Sequence, residues 1–88
     1  PIIKIYIMLY KQIKQLYMIK LLTESGEKNI AQVLGIAPFI VKKLSYASQK
    51  YTEDELKNII YAFDKYDKDT KNGEMDFEIG LKEIICML

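Results

Sequence analysis

The sequence predicts an all-α fold: a compact bundle of about five helices with a helix-turn-helix-like corner. Three observations lead there. Apolar residues recur at helical spacing in every long segment. Gly and Pro fall between those segments, at Ser25-Gly26, at Gly35 to Pro38 and at Asn72-Gly73. A Thr52–Glu55 pair has the spacing of a capping box ahead of an apolar run. At 88 residues the chain is one small domain, and half of its residues are apolar, enough for a core.

The first helix is expected from about Pro1 to Leu22. On a helical wheel Ile2, Ile5, Tyr6, Leu9, Tyr10, Ile13, Leu16 and Tyr17 form one broad apolar face. Lys4, Lys11, Gln12, Lys14 and Gln15 gather opposite. The β-branched run Ile2 to Ile7 also suits a strand, but the later period favours helix. The segment has about the length of a membrane span, yet its lysines make insertion costly, so a soluble helix is expected and no membrane. Ile7, Met8, Met18 and Ile19 fall outside the main face. Either they form an interface with a partner or an upstream domain, or the sequence simply favours Ile, Met and Tyr; both readings stay open. The chain begins inside this apolar segment with no signal-peptide pattern, so a natural start upstream is expected.

Residues 29 to 47 read as two short helices around a tight corner. Ile30, Val33 and Leu34 share a face, with Ala31 small enough for close approach. Gly35 can take the left-handed conformation of a C-terminal cap. Pro38 suits the first turn of the next helix, whose apolar side continues through Val41, Leu44 and Ala47. The same spacing serves a DNA-binding helix-turn-helix, which would present Lys42, Lys43, Ser45, Gln49 and Lys50 outward. A packed corner demands the same small and apolar residues. The charge balance, 13 basic against 12 acidic residues, lacks the basic excess of a phosphate-binding domain and favours the packed corner.

Thr52 and Glu55, with Glu53 and Asp54 in the first turn, start a fourth helix striped by Leu56, Ile59, Ile60 and Phe63. One further step along the stripe lands on Asp67, which needs a partner; Lys71 is four residues on. Gly73 ends that helix. Asp76 is expected to cap the last one, which buries Phe77, Leu81, Ile84, Ile85 and Leu88. Residues 67 to 78 resemble a calcium loop, but in either register at least two required features are missing and a lysine occupies a ligand position. With no His and a single Cys, neither a zinc site nor an intrachain disulfide is expected. Cys86 is expected to be a buried small hydrophobe, since no His can activate it. No catalytic residue, cofactor site or metal site is expected.

Gln12-Ile13-Lys14, the run Ile30 to Leu44 (IAQVLGIAPFIVKKL), Tyr51-Thr52-x-x-Glu55-Leu56, and Asp67, Lys71 and Gly73 occur in the order and spacing of a known family. The chain resembles the C-terminal domain of the delta subunit of the bacterial DNA polymerase III clamp loader over nearly its whole length. Lys14 stands where that family more usually has Arg. The resemblance implies an all-helical collar element, a single domain over residues 1–88 of a larger chain whose ATPase-like domains lie upstream. It implies a ring with the C-terminal domains of the gamma or tau subunits and of delta prime. It implies a cytoplasmic protein that meets the sliding clamp only through its upstream domains, with no direct DNA binding by this one. The parent would be a non-ATPase subunit of the polymerase III holoenzyme, a nucleotidyltransferase complex, and this domain no enzyme. Under that resemblance Asp67 and Lys71 become a structural pair that fixes the turn into the last helix.

Overall fold

The computed structural model describes residues 2–73 and 76–88, and everything below concerns those residues. Five helices follow in order: α1 (Ile2–Glu24), α2 (Ile30–Leu34), α3 (Pro38–Ser48), α4 (Glu53–Lys71) and α5 (Phe77–Met87). All four later helices pack on α1; α2 also packs on α3, and α4 on α5. The first helix is therefore the shared spine between two helix pairs. The body measures 43 × 24 × 18 Å. A 23-residue helix is about 35 Å long at 1.5 Å per residue, so α1 sets the long dimension.

The core is built from Tyr6, Ile13 and Leu16 of α1, Leu56, Ile59 and Phe63 of α4, and Leu81 and Ile84 of α5, all buried. An aromatic cluster closes its centre. The Tyr6 ring meets Phe63 edge-on at 5.2 Å and Phe77 edge-on at 5.3 Å, and Tyr10 stacks on Phe63 at 4.8 Å. Both geometries suit the aromatic quadrupole. A buried Tyr hydroxyl needs a partner; that of Tyr6 donates to the Phe63 carbonyl at 2.7 Å, tying α1 to α4.

The faces differ from the sequence expectation in several places. Ile2 and Ile5, expected on the buried face, are exposed; Ile2 and Ile3 instead line an open groove of about 500 Å³ with Phe77. Ile19, expected off the face, is fully buried, because α1 is covered by helix pairs rather than along one narrow stripe. Val33 points to solvent while Ile30 and Leu34 are half-buried. In α5 the buried side is Gly80, Leu81 and Ile84, with Phe77 half-buried; Ile85 and Leu88 are exposed. Cys86 is exposed, not buried, because it lies two residues past Ile84 and so turns away from the core.

Candidate functional site

The α2–α3 corner and the start of α4 are fixed by local chemistry that the sequence announces. Gly35 sits at φ 67°, and both its amide and that of Ile36 donate to the Ala31 carbonyl, closing α2. Pro38 opens α3, and the Ala37 carbonyl accepts the amides of Ile40 and Val41 at 3.0 and 3.2 Å. At the start of α4 both capping-box bonds form: Glu55 N–H donates to Thr52 Oγ1 at 3.0 Å, and Thr52 N–H to Glu55 Oε1 at 2.9 Å. Three carboxylates in that first turn face the positive end of the helix.

The end of α4 is a helix, not an open calcium loop: residues 67 to 71 form its last turn. Lys71 Nζ lies 3.0 Å from Asp67 Oδ2. The pair is well exposed, so it contributes a few tenths of a kcal/mol, roughly 0.3–0.5. Gly73, at φ 76°, follows with its amide on the Thr70 carbonyl. Glu74 and Met75 of the calcium-like stretch lie outside the described residues. Asp76 precedes α5 but its side chain makes no capping bond, so the expected cap does not form; its carbonyl accepts the Gly80 amide at 3.1 Å as the first bond of the helix.

Among the candidate interface residues, Ile7, Met8 and Met18 are 48, 60 and 42% exposed. They lie on the side of α1 opposite Tyr6, Ile13 and Leu16, interleaved with Lys4, Lys11 and Lys14. Ile19 leaves this group, being 0% exposed in the chain's own core. Two larger exposures went unremarked in the sequence: Phe39 and Tyr46 of α3, each 72%. The signal was available, since Phe39 and Tyr46 are seven apart and off the Val41–Leu44–Ala47 stripe. Lys42 and Lys43 are exposed as expected, whereas Ser45 is half-buried.

Behind α3, Ser48 is buried, its Oγ donating to the Ser45 carbonyl at 2.8 Å. Lys20 Nζ donates to the Ser48 carbonyl at 3.3 Å and sits 3.8 Å from Glu24 Oε1, which holds the two helix ends together. On the other side, the Tyr10 hydroxyl donates to Asp64 Oδ1, and Lys14 Nζ lies 4.0 Å above the Tyr10 ring. Burial, then the charge of Asp67, pushes the Tyr6 hydroxyl up to about 12. Burial, then the bond to Asp64, does the same for Tyr10, also to about 12. The Glu83 carboxylate, and then burial, raises Tyr66. These shifts keep the hydroxyls protonated as donors and move them away from neutrality, the opposite of what an acid–base catalyst needs.

Among the described residues no cluster of three or more His, Cys, Asp or Glu could hold a metal ion, and no helix is long and apolar enough to cross a membrane. The described helices present large apolar groups on the outer sides of α1 and α3. No curated protein and no solved structure gives a significant match. The family described as DNA polymerase III delta subunit, C-terminal domain, matches residues 1–88, the whole chain. This chain therefore belongs to the family of the C-terminal domain of the DNA polymerase III delta subunit.

Proposed function

We propose that this domain is a non-catalytic assembly element of the replicative clamp loader, packing in a ring with the C-terminal domains of gamma or tau and of delta prime. The observation that carries this reading is the family match over residues 1–88. The exposed Ile7, Met8 and Met18 support it, because large apolar groups rimmed by lysines are what a subunit interface covers. The parent protein is then a non-ATPase, cytoplasmic subunit of the polymerase III holoenzyme, a nucleotidyltransferase complex. It meets the sliding clamp through residues upstream of these, and this domain supplies attachment rather than chemistry.

Immobilised residues 1–88 should retain the C-terminal domains of the ring neighbours and should not retain the sliding clamp. Capture of the clamp by residues 1–88 alone would refute the division of labour.

A further inference from the structure

We infer that the outward face of α3, centred on Phe39, Lys42, Lys43 and Tyr46, receives an acidic helical face of the neighbouring ring subunit. The inference rests on the assembly reading above and assigns it a surface and a partner chemistry. The four residues stand at i, i+3, i+4 and i+7, so they share one side of the helix. Such a row forms a ridge of side chains, which the groove of a facing helix accepts. Phe39 and Tyr46 are more exposed than any other large apolar residue described. The opposite side of α3 is already engaged on α1 through half-buried Leu44 and Ala47, so the presenting helix is held rigidly.

The charge argues for what docks there. Residues 1–52 hold eight lysines and two carboxylates, Glu24 and Glu27; residues 53–88 hold five lysines and ten carboxylates. The near-neutral total conceals a bipolar molecule, basic on α1 and α3 and acidic on α4 and α5. Helix α3 carries no acidic residue, and among the described residues neither Lys42 nor Lys43 belongs to an ion pair. A head-to-tail ring needs two different surfaces on each member, and opposite charge on the two sides fixes which meets which. Beside the rings a groove of about 490 Å³ runs between α1 and α3, lined by Gln12, Gln15, Phe39, Ile40, Lys43 and Leu44. Its apolar floor and amide rim suit a partner's aliphatic side chain. A nucleic-acid backbone would ask for a longer row of cations than two lysines between two rings.

The test uses the full-length subunit with its gamma or tau and delta-prime partners, the assembly constant being measured by sedimentation at low and high salt. Lys42→Glu with Lys43→Glu should weaken assembly about tenfold or more at low salt and converge on the unaltered protein at high salt. Phe39→Ala with Tyr46→Ala should weaken it at both. Both pairs are surface changes, and an unchanged thermal melt confirms intact folding. Assembly unaltered by both pairs would overturn the inference. Deleting residues 1–88 separates the two levels: if assembly survives the deletion, the assembly reading itself fails. If the deletion abolishes assembly while the α3 variants are silent, only the surface assignment fails. A single-stranded oligonucleotide titrated in parallel gives the last outcome. Salt-sensitive binding lost in the lysine variant, with assembly intact, would assign the face to nucleic acid and overturn the proposal.

Discussion

Two adjacent residues on α1 should behave as if they belonged to different proteins. Ile19 is 0% exposed and Met18 is 42% exposed. Ile19→Ala removes the carbons beyond Cβ from a site with no access to water. At ~0.8 kcal/mol per methylene the lost transfer energy is about 2.4 kcal/mol. The cavity left between rigidly packed helices brings the total into the range of roughly 2–5 kcal/mol. An 88-residue domain has a folding free energy of roughly 4–13 kcal/mol, so this one change removes a large fraction of it. The melting temperature should drop by about 10 °C or more. Met18→Ala, in contrast, should shift stability by about 0.5 kcal/mol or less and weaken capture of ring neighbours instead. Urea titration followed by far-UV circular dichroism measures both. Equal destabilisation by the two substitutions would refute the placement of Ile19 in the core and of Met18 on the surface.

Thr52→Ala should cost about 1 kcal/mol, because it removes the Oγ1 that accepts the Glu55 amide, while the residue-52 backbone N–H keeps its bond to Glu55 Oε1. Asp76→Ala, at a helix start without a side-chain cap bond, should stay within about 0.5 kcal/mol, and chemical denaturation ranks the two. Tyr6→Phe should cost about 1 kcal/mol for its buried hydrogen bond. Tyr6 and Tyr10 rise from 10.0 to about 12 on folding, so their stabilisation is full below pH 10 and is lost as pH climbs toward 12. Melting curves across that window should fall steeply in the unaltered domain and less steeply in Tyr6→Phe; identical slopes would count against the linkage. Gly35→Ala should cost about 1 kcal/mol through its left-handed backbone alone, since a methyl there meets nothing within 4 Å, and the same melts report it.

What could be read in advance was local. The stops at Gly35 and Gly73, the opening Pro38 and the Thr52–Glu55 box each depend on residues a few positions apart, and each forms as the spacing implies. The stripe of α4 was equally plain, because its surroundings demand only one buried side. The spine α1 was misjudged at Ile2, Ile5 and Ile19 for the converse reason. A helix covered by two pairs has no single apolar direction, and periodicity within α1 cannot say where its neighbours stop. Cys86 and Ile85 failed similarly: α5 meets the others along a narrow line that its uniformly apolar ending does not mark. Exposed Phe39 and Tyr46 stood in plain spacing, but a seven-residue interval does not by itself say which side of α3 faces outward.

The contact between Tyr6 and Phe77 joins residues near opposite ends of the chain. Closing it requires the polypeptide to have travelled through α2, α3 and α4 first, an expensive loop to shut before any reward arrives. Neither helix pair holds the complete aromatic centre without α1, and α1 emerges from the ribosome long before α5. Until Phe77, Leu81 and Ile84 arrive, the side of Tyr6 that meets Phe77 and the part of the core that α5 covers lie bare to water and to other nascent chains. Residues 77–88 thus complete the core, and truncation within them should leave a sticky, unfinished domain.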